Sequence, residues 1–131
     1  MLLACGLVAA TGCGEKQFAN KPRPAASVDL TGVIESKGVT VDPARVGAGP
    51  VLITISNQDT RAHSVTLSGG SIEETVGPIQ PLDTGTIQKS LPPGSYQVSA
   101  GSDTAVAREI MPAQLTVGKK RASSSGELLL P

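Results

Sequence analysis

Between residues 28 and 118, two side chains are of the kinds that bind soft metal ions, the imidazole of His63 and the thioether of Met111. His63 is the only histidine among 131 residues, and the two cysteines, Cys5 and Cys13, both lie near the start of the chain. An imidazole and a thioether can bind Cu(I) weakly, but tight zinc or copper sites need further imidazole or thiolate ligands. The sequence therefore supplies at most part of a metal site, with His63 and Met111 as weak candidates.

Groups that could catalyse a reaction are equally sparse. A Ser-His-Asp triad would have to use His63, with Asp59 or Asp103 to orient it, and no Gly-x-Ser-x-Gly turn is present to carry the serine. Glu73 and Glu74 are adjacent, so on a strand they would point to opposite faces and could not share a metal ion. We therefore expect that this protein is not an enzyme and holds no cofactor.

The composition excludes further classes of function. The 11 basic and 11 acidic residues balance, so no net charge draws the chain to nucleic acid. Phe18 and Tyr96 are the only aromatic residues, which is too few to stack bases or to line a sugar-binding site. Hydrophobic residues make up 39% of the chain, while 15 Gly and 10 Pro indicate many turns. These values favour one small folded domain with polar segments at both ends.

The N-terminal residues predict a secretion signal followed by a tether. Residues 2–10 form an apolar run that is too short to cross a bilayer but has the length of a signal-peptide core. The segment Ala10-Thr11-Gly12-Cys13 resembles a bacterial lipobox, in which the cysteine becomes the lipid-modified first residue of the mature protein. The rival lipobox, Leu2-Leu3-Ala4-Cys5, leaves almost no apolar stretch before the cleavage site. We therefore expect a signal peptide over 1–12 and a lipid-anchored linker over 13–27.

A lipid on Cys13 would place the protein at the extracytoplasmic face of a bacterial cell membrane. Removal of Cys5 with the signal peptide would leave the mature chain without a disulfide. Residues 119–131 are polar except for a short apolar run at their end. This composition predicts a flexible C-terminal tail. The basic residues at its start, 119–121, either remain in solvent or contact anionic lipid.

The pattern of residues 28–118 is that of an all-β domain. Apolar residues alternate with polar ones in six segments: 39–41, 51–55, 65–67, 84–89, 96–98 and 113–117. Residues typical of turns lie between them, notably at 47–50, 56–59, 68–71, 77–78 and 91–94. About eight short strands with turns roughly every ten residues predict a β-sandwich or barrel. Residues 103–111 could hold one helical turn or a loop.

Tyr96 is the one aromatic ring in this segment. It follows Pro93-Gly94-Ser95, where a connection between two sheets would cross the end of a sandwich. Its hydroxyl can donate to a backbone carbonyl and fix that connection, much as in the tyrosine corner of Greek-key sandwiches. We predict a structural role for Tyr96.

The order of several features along the chain points to a known family. The first is the segment 39–49, which contains a proline and two glycines, and the second is a strand that ends at Asn57. His63 follows, then the segment 91–98, and finally Met111 before the last strand. Over about residues 38–118 this order resembles the cupredoxins, which are plastocyanin-like Greek-key β-sandwiches.

Cupredoxins that bind type 1 copper use a His, then a Cys, then a second His and a Met. The resemblance assigns His63 to the first position and Met111 to the last, while Ala100 stands near the cysteine position and no histidine follows His63. It therefore implies a Greek-key, cupredoxin-like sandwich of about eight strands without the copper-ligand set.

Together these observations predict a membrane-anchored extracytoplasmic binding or accessory module. It would contact another envelope protein through loops at one end of the sandwich or through a sheet edge. The alternative is a weak copper-binding or redox accessory protein, in which His63 and Met111 bind Cu(I) together with ligands from a partner. Outside that alternative, we expect His63 at a loop or strand edge with one hydrogen bond, and Met111 in the core.

Overall fold

The computed structural model describes residues 24–101 and 110–122, and these residues form the predicted all-β sandwich. Its eight strands confirm the expected number. Six of them contain the alternating segments, whereas β1 and β5 lie outside those segments. The strands are β1 Val28–Glu35, β2 Gly38–Asp42, β3 Arg45–Asn57, β4 His63–Gly69, β5 Ile72–Ile79, β6 Thr84–Leu91, β7 Gly94–Gly101 and β8 Ala113–Lys120.

Some of the sequence predictions concern residues outside these ranges. The signal peptide over 1–12, the lipid on Cys13, most of the linker, the possible helical turn after Asp103 and most of the C-terminal tail all lie outside the described residues. Within the described ranges, no helix is long and apolar enough to cross a membrane.

The two layers of the sandwich share strand β3. One layer has the order β2-β1-β3-β6, and the other has the order β3-β8-β7-β4-β5. Strand β3 runs parallel to β1 and β8, and every other pairing is antiparallel. Residues 45–48 of β3 pair with β8, and from Gly49 onward the strand pairs with β6 and then β1. One strand therefore belongs to both sheets and joins them.

The core lies between the layers because alternate residues of each strand point inward. It is almost entirely aliphatic, with Tyr96 as its one aromatic ring. Aliphatic side chains of this size each stabilise a fold by about 1.5–3 kcal/mol when fully buried. The side chains less than 2% exposed are Leu30, Ile34, Ile53, Ile55, Leu67, Ile87, Leu91, Leu115, His63, Val51, Val65 and Val98.

Two of the expected turns are irregularities within strands. Residues 47–50 lie inside β3, where the pairing with β8 shifts register between Gly47 and Ala48. Gly49 has φ +138°, a backbone conformation that favours glycine, and here β3 passes from one sheet to the other. The turn-type residues of this segment therefore mark a bend within a strand rather than its end.

The second irregularity lies beside His63. Residues 77–78 belong to β5, and the pairing of β4 with β5 shifts register between His63 and Val65. Gly77 has φ +123°, and a Cβ there would lie 2.9 Å from the Cα of Ser64. Glycine at this position lets β5 approach the start of β4 closely.

The strand directions define two ends of the sandwich. Strand β3 finishes at Asn57, and β4 begins near that residue; we call this end, with Asn57, Asp59, His63, Leu82 and Met111, the His63 end. Strand β6 runs from the level of Ser56 to that of Gly49, and β8 finishes opposite Ala48. We call that opposite end, with Ala26, Gly47, Pro92, Lys120 and Arg121, the Arg121 end.

The last strand extends beyond the boundary expected at residue 118. Strand β8 continues to Lys120, because Ala48 of the bent β3 lies opposite it and supplies a pairing partner. The amide of Arg121 then donates to Ala48 O at 3.1 Å. Residues 119–121 therefore belong to the sandwich and not to the predicted flexible tail.

Candidate functional site

Asn57 organises the loop between β3 and β4. Its side chain is fully buried, and Nδ2 donates to Arg61 O at 2.7 Å and to Ile79 O at 2.9 Å. Its Oδ1 accepts a hydrogen bond from the amide of Asp59 at 2.9 Å. Short polar side chains often bond to backbone two residues on in this way. One amide group thus closes the loop 58–62 and fixes it to the end of β5.

His63 is the first residue of β4, and its side chain is only 2% exposed. Its Nε2 lies 2.6 Å from Oδ2 of Asp59, while the other oxygen of that carboxylate accepts from the amide of Thr60 at 2.8 Å. The hydrogen bond from His63, and after it the one from Thr60, holds the pKa of Asp59 below its ordinary value near 3.8. The loop therefore carries a carboxylate–imidazole pair whose acid stays ionised.

The second ring nitrogen of His63 has no such partner. Nδ1 is buried and forms no hydrogen bond within the described part of the chain. Because a carboxylate accepts at Nε2, that nitrogen carries the proton in the neutral ring, and Nδ1 presents its lone pair. A buried polar atom without a partner costs about 1–3 kcal/mol. This nitrogen therefore has a lone pair that a ligand could use.

Met111 lies on the surface, with 71% of it exposed, so the expectation that it fills the core is wrong. Its carbonyl accepts from the amide of Val39 at 2.8 Å, and its amide donates to Lys37 O at 3.1 Å. These bonds attach Met111 to the start of β2 before the chain enters β8. The inward alternation that begins at Ala113 consequently does not extend back to Met111.

Ala100 is the residue before the last in β7, and it lies opposite Val65 of β4. Its methyl group is partly buried and offers no lone pair to a ligand. The strand position is thus occupied, but by an inert side chain.

Comparison with known proteins supports the fold and does not extend to function. No family model matches the chain, and no curated protein matches it. Among solved structures, the chain is similar to reduced auracyanin from the photosynthetic bacterium Roseiflexus castenholzii. The TM-score is 0.51 at 16% identity, over 72% of this chain and 98% of that one. The domain is cupredoxin-like.

A multicopper oxidase from Pediococcus acidilactici gives a second likeness. The TM-score is 0.50 at 14% identity, over 76% of this chain, which spans only 28% of the oxidase. Identities this low show the fold alone. What this cupredoxin-like domain does must therefore be argued from its own residues.

The donors of this domain do not fit a type 1 copper centre. Such a centre needs two imidazoles, a thiolate and a weak axial ligand. Here His63 supplies one imidazole, Ala100, which the resemblance puts near the thiolate position, has no ligand atom, and the side chain of Met111 faces solvent. Within residues 24–101 and 110–122, no group of three or more His, Cys, Asp or Glu side chains could hold a metal ion. Among the described residues, the donor set of a type 1 copper centre is therefore incomplete.

Tyr96 lies at the opposite end, where its ring is buried and its hydroxyl donates to Pro92 O at 2.8 Å. The bond spans the Pro92-Pro93 connection between β6 and β7. A Cβ at Gly69 would lie 2.5 Å from the Tyr96 ring and 2.7 Å from Ser95 O, so the neighbouring β4 must have glycine there. Tyr96 therefore fixes a corner at the Arg121 end.

Two residues that the sequence analysis did not single out as sites stand out in the structure. Leu82 has φ 64° and is 80% exposed, and Arg121 donates to backbone carbonyls from both sheets. Pro81 before Leu82 is a turn signal, but the third position of such a turn usually holds glycine. Nothing in the sequence marks the partners of Arg121.

Proposed function

We propose that this chain is a non-catalytic binding module, anchored by a lipid on Cys13 at the extracytoplasmic face of a bacterial membrane. In this proposal the His63 end binds another envelope protein. The observation that carries the proposal is the exposure of two large hydrophobic side chains, Leu82 and Met111, at that end. Support for the anchor comes from the lipobox-like segment at 10–13.

The proposal is supported by the closeness of the two residues' backbones at the His63 end. Leu82 N donates to Asn57 O, Asn57 lies opposite Ile34, Ile34 lies opposite Val39, and Val39 N donates to Met111 O. Each of these four backbone pairings spans about 5 Å, so the two residues lie within about 20 Å of each other. That distance is within the width of a protein–protein interface and too long for most small ligands.

The conformation of Leu82 is a second observation in support of the proposed binding surface. The turn is closed by Asp83 N donating to Gln80 O at 3.0 Å, and Leu82 has a left-handed φ of 64° within it. A leucine there stores about 1–2 kcal/mol of strain that glycine would avoid. Single exposed hydrophobic residues are common on protein surfaces. A strained, exposed leucine at the same end of the sandwich as a second exposed hydrophobic residue favours a binding surface.

The loops beneath this surface are already held in place. The side chain of Asn57 donates to Arg61 O in the loop 58–62 and to Ile79 O at the end of β5, and backbone hydrogen bonds fix Met111 to β2. A surface whose backbone is fixed before binding loses little conformational entropy on association. The His63 end therefore has the rigidity expected of a binding site.

The anchor is tested by changing the lipid-bearing residue. Wild-type protein from bacterial membranes should partition into the detergent phase and carry acyl mass on Cys13. Cys13→Ser should release the protein or block its processing. Unchanged processing and membrane binding of Cys13→Ser would contradict the anchor.

The binding surface is tested by purifying the intact lipoprotein from membranes with its bound partner. Leu82→Asp combined with Met111→Asp should reduce partner recovery at least tenfold, since each aspartate would bury a charge in the interface. The control is Gln88→Asp with Gln114→Asp, which adds the same charge at exposed strand positions. Equal recovery with both double variants would contradict binding through the His63 end.

One observation favours the alternative of weak Cu(I) binding. Nδ1 of His63 is buried without a hydrogen-bond partner in the described ranges, and the exposed thioether of Met111 is accessible to a second protein. Imidazole and thioether both suit Cu(I). A partner's ligands would have to complete such a site.

Copper titration separates the two functions. Protein lacking residues 1–13 should stay colourless with Cu(II), because the intense blue absorption requires a thiolate ligand. Calorimetry should show feeble copper uptake that His63→Ala and Met111→Ala leave unchanged. Tight one-to-one uptake that is lost in both variants would replace the binding-module proposal with the copper function.

A further inference from the structure

Arg121 joins the two ends of the folded chain. Its guanidinium donates to Gly47 O at 3.1 Å, to Pro50 O, and to Ala26 O at 2.6 Å, while its amide donates to Ala48 O. Ala26 precedes β1, and Arg121 follows β8. The segments that lead into and out of the sandwich, 95 residues apart in sequence, therefore meet at one place.

The surface around this meeting point is positively charged. Lys119 and Lys120 are exposed at the end of β8, and neither forms an ion pair with the residues that the structure describes. In the sequence, Lys21 and Arg23 precede Ala26 by only a few residues. The described basic residues 119–121 therefore lie together at the Arg121 end.

An apolar cleft opens beside these lysines. It has a volume of about 230 Å³, and Lys120 stands at its edge. The other lining residues are Ala48, Gly49, Ser90, Leu91, Pro92 and Pro93. Exposed prolines next to lysines combine apolar surface with positive charge, and that combination suits the headgroup region of a bilayer.

We infer that the Arg121 end lies against anionic phospholipid headgroups, with Lys119 and Lys120 in contact with them. This inference rests on the proposed lipid anchor at Cys13. The 13 residues from Cys13 to Ala26 reach at most about 45 Å, and they join the sandwich at the Arg121 end. That end is therefore the one held closest to the bilayer.

Membrane contact at this end fits the rest of the molecule. A basic patch adds electrostatic attraction to anionic lipid to the membrane binding that a lipid anchor supplies. Strands of eight residues are about 27 Å long, so the His63 end faces away from the bilayer. Leu82 and Met111 then remain accessible to a partner protein.

The contact is tested without the lipid. Every strand lies between residues 28 and 120 and pairs with another strand, so the chain lacking residues 1–13 retains the whole sandwich. Its binding is measured by co-sedimentation with vesicles of phosphatidylcholine containing one-quarter phosphatidylglycerol, and with pure phosphatidylcholine. We expect binding to the anionic vesicles only, weakened by 300 mM salt because exposed charges are screened.

Two charge-matched double variants locate the contact. Lys119→Gln with Lys120→Gln should weaken binding about 30-fold, since each lysine near an anionic surface contributes about fivefold. Lys37→Gln with Arg61→Gln removes the same charge from the His63 end and should change binding less than twofold. Thermal unfolding of each variant checks that the fold is intact.

Three results would overturn the inference: no binding to anionic vesicles at low salt, equal binding to both vesicle types, or equal weakening by both double variants. Equal binding to both vesicle types would mean that the lysines do not recognise anionic lipid. An acidic protein would then be the partner that fits the basic surface. None of these results bears on the acyl group of Cys13, which is measured by mass. The membrane contact and the proposed anchor therefore fail independently.

Discussion

The two ends of this sandwich are closed by different chemistry. At the His63 end, a buried amide and a carboxylate–imidazole pair, Asn57, Asp59 and His63, fix loops that are close to one another in the chain. At the Arg121 end, one guanidinium and the hydroxyl of Tyr96 bond to backbone carbonyls. The first end displays large hydrophobic side chains, and the second displays lysines.

This difference gives one small domain two chemically distinct surfaces, one at each end. At the His63 end, the hydrogen bonds from His63 and Thr60 lower the pKa of Asp59, so we expect the stability of that end to fall only in strong acid. The guanidinium at the other end remains charged throughout the accessible pH range. In the proposed function, the His63 end contacts a protein, and the Arg121 end contacts the membrane.

The largest expected effect comes from removing the ring of Tyr96. Tyr96→Ala should lower the free energy of unfolding by about 3–5 kcal/mol, because it opens a cavity at the Arg121 end. Tyr96→Phe keeps the ring and should lose only about 1 kcal/mol with the hydrogen bond to Pro92 O. Denaturant unfolding measures both values. An unchanged stability of Tyr96→Ala would show that this end does not depend on its corner.

The matching change at the His63 end is Asn57→Ala. It removes three hydrogen bonds of a fully buried amide and leaves the carbonyls of Arg61 and Ile79 unpaired, so we expect a loss of about 3 kcal/mol. Hydrogen exchange should show local opening of residues 58–62. A loss under 1 kcal/mol would contradict the view that one amide holds this loop.

Arg121→Ala tests the joining of the chain ends. Losing three hydrogen bonds from a half-buried guanidinium should reduce the free energy of unfolding by about 2 kcal/mol. Proteolysis before Val28 should become faster, because Ala26 O loses its donor. Lys119→Ala, at an exposed strand position, is the control and should change stability by less than 0.5 kcal/mol.

The smallest effect is the pH dependence of the His63 end. The pKa of Asp59 is lowered in the fold, so its ionised form stabilises the protein above its ordinary value near 3.8. This contribution disappears as the pH falls through the lowered pKa. Asp59→Asn should therefore cost about 1 kcal/mol at pH 5–6 and progressively less below pH 3.8. If the loss of stability in Asp59→Asn does not change with pH, then Asp59 stabilises the loop through the shape of its side chain and not through its charge.

Most of the fold was predictable because alternation is a local signal. The segments at 51–55, 65–67 and 113–117 became buried strands, since one face of each is continuously apolar. Strand β5 was missed because its glutamates and its glycine–proline pair obscure the alternation. The stretch 47–50 was interpreted as a turn, since a local pattern cannot distinguish a bend within a strand from its end.

The candidate site was predictable only in part. His63 was identified as the one imidazole, and Asp59 as one of two acids that could orient it. Its burial and its unpartnered Nδ1 depend on how β5 packs beside the start of β4. Met111 was expected in the core as an apolar side chain, but its backbone bridges to Gly38 and its side chain is 71% exposed.

The sequence by itself determined the residue types, and with them the limits on chemistry: one histidine, no cysteine after Cys13 and one aromatic ring in the domain. It also determined the all-β class, because alternation requires only neighbours in the chain. The tertiary structure alone decided that Arg121 meets Ala26 and that Leu82 and Met111 share an end. Such pairings join residues far apart in sequence, and strand register, which no local pattern encodes, sets which of them meet.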